Sequence, residues 1–120
     1  MNKPVVVIGH RMGKGQLVAK GISEAGGTPI VIEGLAADMK VGDVMKQNEA
    51  DLGISFCGSG GAGAINAHNL YGYTARHGLR TVEAGVTAIN EGIQVIGFGF
   101  MDTEELGKEI TKAWKTLYES

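Results

Sequence analysis

The sequence has 120 residues, 43% of them hydrophobic, which suits one domain around a single core. Its net charge of -2 excludes the basic surface that nucleic acid or an anionic membrane requires, so we expect neither as a partner. No apolar run approaches the roughly 20 residues that cross a bilayer. The lone cysteine has no internal disulfide partner, which favours a reducing, cytoplasmic location.

Short apolar runs alternate with segments of helical period along the chain, and many of the 20 glycines stand where these segments end. In chain order the pattern predicts a strand at 4–8, a helix at 16–25, a strand at 28–32, a helix at 38–49, a strand at 52–56, a short helix ending near 69, a strand at 71–76, a helix at 81–90, a strand at 93–98 and a final helix whose apolar stripe runs over 106–117. Asp102, with Glu105 three residues later, is expected to form a capping box at the start of the final helix.

Five successive β-α units predict the fold class. They imply an α/β protein with a single Rossmann-like three-layer domain over residues 1–120, in which helices cover both faces of a five-stranded parallel sheet. Ligands of such sheets bind outside the carboxyl ends of the strands. The loops expected there are 9–15, 57–63, the segment after Arg76, and 99–102.

The segment 57–63, CGSGGAG, joins a predicted buried strand to a helix start. Glycines let the backbone bend sharply, and amides at a helix N-terminus attract an anion. We therefore expect a site for an oxyanion or a sugar, to which Ser59 adds a hydroxyl; the alternative is a tight turn that only joins two elements. The backbone contacts are expected from Gly58, Gly60, Gly61 and Gly63. Although the loop satisfies G-x-G-x-x-G, a dinucleotide site is not expected, because that motif belongs after the first strand.

Cys57 stands where a helix N-terminus lowers a thiol pKa and favours the thiolate. Such a thiolate acts as a base or a nucleophile. The alternative is a small buried hydrophobic residue, the usual environment of a lone cysteine. Position alone does not separate these two interpretations.

Two further groups of side chains are candidate ligand contacts. His10, Arg11 and Lys14 lie in a loop that resembles a phosphate loop, one residue short and without its Ser or Thr; the alternative is a solvated basic loop. Arg76 and His77 follow the predicted fourth strand, where the histidine is suited to proton transfer; the alternative is a surface pair. The histidines and the cysteine lack metal-ligand spacing, so we expect no metal and no cofactor.

The segment ISFCGSGGAGA at 54–64, with GFGFMD at 97–102, resembles the glycine-rich SFCGS family of small bacterial proteins. More distantly, ADLGISFCGSG at 50–60 is similar to the central motif of ribose-5-phosphate isomerase B and of galactose-6-phosphate isomerase subunits. This second resemblance implies a homodimer and a sugar-phosphate ligand. It also implies that Cys57 is the base that moves a proton between C1 and C2, while Ser59 and the loop amides stabilise the enediolate.

Three features depart from the isomerase pattern, and one is that the Asp-His pair after the first strand of those enzymes is represented here by His10 and Arg11. The ring-opening histidine of those enzymes corresponds to Ile89, although Asn90 and Glu91 resemble its neighbours and make Asn90 a candidate substrate contact. The tail whose arginines bind phosphate in those enzymes has no counterpart, so Arg11, Lys14 or Arg76 is expected to replace it. The sequence thus supports two hypotheses: a sugar-phosphate isomerase that uses Cys57, or a sugar-phosphate-binding accessory protein without catalysis. Covalent chemistry at the cysteine is a further alternative.

Overall fold

A computed structural model describes residues 3–118. The strands are β1 (Val5–His10), β2 (Thr28–Val31), β3 (Leu52–Phe56), β4 (Ala75–Leu79) and β5 (Val95–Phe98). The helices are α1 (Gln16–Glu24), α2 (Val41–Asn48), α3 (Ala62–Tyr71), α4 (Val82–Asn90) and α5 (Glu104–Tyr118), and a 3₁₀ turn (Ala37–Lys40) precedes α2. All strand pairs are parallel, in the order β2-β1-β3-β5-β4.

The strand order determines which face each helix covers. The steps from β1 to β2 and from β4 to β5 run in one direction along the sheet, and the steps from β2 to β3 and from β3 to β4 run in the other. Right-handed crossovers therefore put α1 and α4 on one face and α2 and α3 on the opposite face. The packing agrees, because α5 contacts both α1 and α4, while α2 contacts α3. The predicted three-layer α/β fold is confirmed.

Each face of the sheet has its own hydrophobic core. Val6, Ile8 and Phe56 belong to the core beneath α1, α4 and α5, and Val7 and Val95 belong to the core beneath α2 and α3. The helices present apolar residues mainly to these cores. None of the helices within residues 3–118 is long and apolar enough to cross a membrane.

Near the carboxyl ends of the central strands, one row of the sheet has only small side chains. Gly9, Ser55 and Gly97 are aligned across β1, β3 and β5. A methyl group at Gly9 would lie 2.5 Å from the carbonyl oxygen of Ala37, and one at Gly97 would lie 2.7 Å from that of Gly61. The backbones of the 3₁₀ turn and of the loop after β3 therefore pack directly on the sheet.

The fourth strand was predicted at the wrong position. Of the residues predicted as strand 71–76, Tyr71 is the last residue of α3, and Gly72 is the C-cap of that helix in a left-handed conformation (φ 75°). The strand β4 starts only at Ala75. The physical reason is the helix-favouring run before Gly72, which continues α3 to the first residue able to take the C-cap geometry. The carboxyl end of β4 is consequently formed by Leu79 rather than by Arg76.

The predicted capping box at the start of α5 is also wrong. Thr103 accepts the amide hydrogen of Leu106 through its hydroxyl oxygen at 3.2 Å, so Thr103 is the capping residue. The Asp102 carboxylate accepts hydrogen bonds from the amides of Gly15 and Val18 at the start of α1, at 3.2 and 2.9 Å. A long-range partner thus outcompetes the local one for this carboxylate.

Candidate functional site

The sheet has a topological switch point between β1 and β3. The chain leaves these adjacent strands in opposite directions, toward β2 after one and toward β4 after the other. Parallel sheets leave a crevice outside the carboxyl ends of the strands at such a point, where ligands bind. The segments that border it are 11–15 and 57–61.

Cys57 follows β3 directly, and its sulfur is a hydrogen-bond acceptor for the turn that begins α3. The amides of Gly61 and Ala62 both donate to Sγ at 3.2 Å, and the Ser59 hydroxyl oxygen lies 3.1 Å from it. The residue is only 2% exposed. The amides at the start of α3 thus bind the sulfur of the chain itself, which a purely hydrophobic cysteine would not require.

The hydrogen bonds around the sulfur favour the thiolate. Burial raises the pKa of the Cys57 thiol, but the Ser59 hydroxyl and the backbone amides of Ala62, Gly61 and Ser59 outweigh burial. The pKa of Cys57 is therefore lowered from its ordinary value of 9.0. The site holds a sulfur that ionises more readily than a free thiol.

The lowered pKa of Cys57 gives a direct test. We expect the thiolate absorbance in the ultraviolet to rise with a midpoint below pH 9.0, and the Ser59→Ala variant to move that midpoint upward. Unfolding restores the higher pKa, so the thiolate's contribution to stability is complete above pH 9.0 and is lost as pH falls through the folded-state pKa. Cys57→Ser is the control that removes the signal, and equal midpoints in wild type and Ser59→Ala would contradict the assignment.

Two successive glycines turn the loop back onto the sulfur. Gly60 and Gly61 have φ angles of 95° and 98°, in the left-handed region that residues with a side chain rarely adopt. The Gly60 carbonyl accepts the amide hydrogen of Gly78 at 2.7 Å, and a methyl group at Gly61 would overlap the backbone of Gly97. These glycines are required by the turn itself, as the tight-turn alternative anticipated. The Gly60 amide donates to the Cys57 carbonyl at 3.1 Å.

At positions 58 and 99, by contrast, neither the backbone conformation nor the packing of the fold requires glycine. Each of the other eighteen glycines either has a positive φ or would place a Cβ atom within 3.0 Å of another atom. For Gly58 the nearest atom is a ring carbon of Phe100 at 3.7 Å, and for Gly99 there is nothing within 4 Å. The fold leaves space at these two positions that an alanine could occupy.

Both of these glycines line a cavity of about 340 Å³ beside the cysteine, which we call the glycine-lined cavity. Ser59, whose hydroxyl contacts the Cys57 sulfur, opens onto it. Arg80 is the charged residue in the lining of this cavity, among the residues that the structure describes. The complete lining is Gly58, Ser59, Gly60, Gly78, Leu79, Arg80, Gly99 and Met101.

A second cavity, of about 420 Å³, lies on the other side of Phe100 and includes His10, Lys14 and Asp102. His10 is the last residue of β1 rather than a loop residue, and it is only 3% exposed. Its ring packs between Phe56 and Phe100, with centroids 5.7 and 5.1 Å away.

The His10 ring is held in its neutral form. Burial lowers its pKa, Asp102 and Asp38 oppose that effect, and Lys14 reinforces it, so the pKa is lowered from 6.5. Nδ1 accepts the amide hydrogen of Met12 at 3.0 Å, which places the proton of the neutral ring on Nε2. His10 is therefore suited to donate a hydrogen bond from Nε2.

Arg11 and two amides at the start of α1 already have internal partners. The Arg11 guanidinium forms an ion pair with Asp38 at 3.0 Å, and the Asp38 side chain is completely buried. The amides of Gly15 and Val18 are bound by the Asp102 carboxylate. The start of α1 is thus occupied internally, unlike the N-terminus of a phosphate loop.

Four of the predicted contacts lie away from the glycine-lined cavity. Arg76 is near the start of β4, where it pairs with Glu91, and Asn90 is the last residue of α4, next to Glu91. His77 is exposed and borders a separate, largely apolar cavity. Gly63 lies in α3, where a methyl group would overlap the Asp38 carbonyl. Among residues 3–118, no three His, Cys, Asp or Glu side chains are grouped closely enough to hold a metal ion.

The sequence interpretation missed Arg80 and Asp38, and it included Gly99 only as the first residue of the expected 99–102 loop. Arg80 follows the true end of β4, so it was overlooked because the strand was placed four residues too early. The sequence does contain a signal for the start of α4, and so for the loop residue Arg80 before it. Thr81 is a good N-cap residue, and its hydroxyl accepts the amide hydrogen of Ala84. Asp38, a carboxylate buried within a 3₁₀ turn, carries no local sequence signal.

The fold is similar to that of type B ribose-5-phosphate isomerases. The Trypanosoma brucei enzyme superposes with a TM-score of 0.68 at 22% identity, over 94% of this chain and 85% of that one. The Giardia lamblia enzyme gives 0.69 at 18% identity, over 92% and 93%. A Mycoplasma genitalium enzyme with bound ribulose 5-phosphate gives 0.64 at 16% identity, over 94% and 84%. Identities this low establish the fold alone.

The sequence itself gives the family. The profile of the glycine-rich SFCGS family matches residues 4–117, and the chain belongs to that family. No curated protein matches the sequence. The predicted membership of this family and the distant similarity to the isomerases are both confirmed.

Proposed function

We propose that this protein is a sugar-phosphate isomerase in which Cys57 is the proton-transfer base. The observation that carries the proposal is the sulfur held by the amides of Gly61 and Ala62 and by the hydroxyl of Ser59, a residue that lines the neighbouring cavity. A pKa lowered from 9.0 increases the fraction of Cys57 present as thiolate, the form that can act as a base. Two supporting facts are the isomerase fold and the position of the cavity at the carboxyl ends of the strands.

The geometry suggests how a proton reaches a nearly buried sulfur. Ser59 Oγ lies 3.1 Å from Sγ and Ser59 lines the cavity, so we infer that its hydroxyl takes a proton from the carbon beside the substrate carbonyl while passing its own to the thiolate. The electron pair of the broken C–H bond forms the C1=C2 bond of the enediolate, and a proton passes from the hydroxyl on C2 to the oxygen on C1. Return of the abstracted proton from the Cys57 thiol through Ser59 to C1 completes the isomerisation. Because the amides of Gly61 and Ala62 are bound to the sulfur and that of Gly60 to the Cys57 carbonyl, we assign the anion hole for the enediolate to Ser59 and Gly58, which line the cavity.

A non-catalytic sugar-phosphate-binding protein is the second candidate. Two observations favour it: Cys57 is only 2% exposed, and Ile89, in the place of a ring-opening histidine, is buried in the core. Such a protein would bind the ligand through the 57–63 loop and leave it chemically unchanged.

For either function we propose a cytoplasmic location, consistent with the free thiol, and a homodimer, by analogy with the isomerases.

The decisive experiment measures deuterium incorporation from D₂O into ribose 5-phosphate and galactose 6-phosphate by NMR, alongside calorimetric binding. We expect wild type to exchange the proton next to the carbonyl, and Cys57→Ala to slow this exchange by roughly 100-fold to 10,000-fold while still binding. Cys57→Ser keeps an acceptor for the loop amides but has a much higher pKa, so it separates the base from a structural effect. Binding without exchange in wild type would establish the second candidate, and undiminished exchange in Cys57→Ala would refute the base.

A further inference from the structure

Among residues 3–118, Arg80 is the arginine whose charge has no internal partner. The sequence contains three arginines, of which Arg11 pairs with Asp38 and Arg76 pairs with Glu91. Within residues 3–118 Arg80 makes no salt bridge, and its side chain lines the glycine-lined cavity. An exposed arginine is ordinary by itself, but this cation borders a cavity that has no acidic residue among its described lining.

The two glycines without an internal requirement border the same space. Gly58 lies at the start of the turn after β3 and Gly99 follows β5, so they approach the cavity from adjacent strands. Neither has a positive φ, and neither would place a Cβ atom closer than 3.7 Å to another atom. A side chain at either position would take volume from the cavity and nothing else.

We propose that Arg80 binds the phosphate group of the ligand in this cavity, and that Gly58 and Gly99 leave room for it. This inference rests on the proposed function. It assigns the phosphate contact to Arg80 instead of to Arg11, Lys14 or Arg76, which the sequence had suggested. A guanidinium matches a phosphate through two parallel N–H···O hydrogen bonds. A volume of about 340 Å³ is within the range of small-molecule sites. With the phosphate on Arg80, the other end of a short sugar phosphate extends toward Ser59 and the sulfur.

The other cations on this side of the sheet are less suitable. Arg11 would have to abandon a completely buried carboxylate to reach a ligand. Lys14 borders the second cavity, where the Asp102 carboxylate repels a phosphate. Within residues 3–118, Arg80 has no carboxylate partner to give up, and no acidic residue lines its cavity.

The test uses inorganic phosphate and ribose 5-phosphate as probes, with binding followed by calorimetry and by the backbone amide NMR signals of Ser59, Arg80 and Gly99. We expect Arg80→Gln to weaken both ligands by about 10-fold to 100-fold, the range for losing a charged hydrogen-bond partner. Arg80→Lys restores part of the affinity, and Gly99→Val blocks the cavity without a loss of stability. Lys46→Gln, an equal charge change at an exposed position of α2, is the matched control and leaves binding unchanged.

Three results would overturn the inference: unchanged affinity in Arg80→Gln, a larger loss in Lys14→Gln, or no binding of either probe by wild type. The hydrogen-exchange measurement keeps the two proposals separate. If Cys57→Ala abolishes exchange while Arg80→Gln binds normally, Cys57 remains the base and the phosphate lies elsewhere. If Arg80→Gln loses affinity but wild type exchanges no proton, the phosphate site stands and the isomerase proposal fails.

Discussion

Replacing Gly61 with alanine is expected to reduce the free energy of unfolding by about 2–5 kcal/mol. The residue has a φ of 98°, which costs an L-residue about 1–2 kcal/mol. Its new methyl group would also overlap the backbone of Gly97, which is part of the rigid central sheet and has no side chain to move aside. Since a domain of this size has about 5–15 kcal/mol of stability in total, the variant is expected to be marginally folded.

Gly58→Ala, three residues earlier in the same loop, is the matched control. It has no positive φ and has space for a methyl group, so its stability is expected to change by less than about 1 kcal/mol, in the favourable direction. Urea denaturation followed by circular dichroism measures both variants. Equal stabilities would show that the loop is not pressed against β5, and the packing described for Gly60 and Gly61 would then be wrong.

Replacing Arg11 with alanine is expected to cost about 2–4 kcal/mol of stability. The Asp38 side chain is completely buried, its Oδ2 is bound by the Arg11 guanidinium at 3.0 Å, and its Oδ1 has no hydrogen-bond partner. Removing the arginine leaves a buried carboxylate without a counter-charge. The expected loss is at the lower end for a buried pair, because Arg11 itself is 45% exposed and partly screened by water.

A double-mutant cycle separates this charge effect from lost packing. Asp38→Asn removes the charge with little change of shape, so Arg11→Ala combined with Asp38→Asn should cost less than the sum of the two single changes. Arg76→Ala, which breaks the exposed pair with Glu91, is the control and should cost at most about 0.5 kcal/mol. Additive losses in the Arg11 cycle would mean that the ion pair contributes nothing to stability.

The fold was predictable because its signals are local and periodic. The β-branched runs of β1, β2 and β3 and the apolar stripe of α5 each specify an element without knowledge of the rest. The glycine loop at 57–63 was identifiable for the same reason, since its composition contrasts with the strand before it. What the loop amides bind was not predictable, because the contact of Gly61 and Ala62 with the Cys57 sulfur depends on two consecutive left-handed residues.

The misplaced fourth strand had consequences for the candidate site. β4 is an edge strand of modest hydrophobicity, ARHGL, so its sequence carries little periodic signal. An error of four residues changed which side chains were expected at its carboxyl end, and Arg76 and His77 were proposed in place of Arg80. Contacts between residues distant in sequence, such as Arg11 with Asp38 or Asp102 with Val18, depend on the assembled fold and have no counterpart in local patterns.

The bond between Asp102 and the start of α1 joins two helices that are separated by most of the chain. Gly21 and Gly107 reinforce this junction, because each leaves the backbones of α1 and α5 in contact where a methyl group would overlap the other helix. Neither helix can separate from the sheet without exposing unsatisfied amides or the bare backbone of its neighbour. Helices α1 and α5 therefore form one cooperative unit, so during synthesis α1 acquires its final stability only when α5, which is made later, has folded against it.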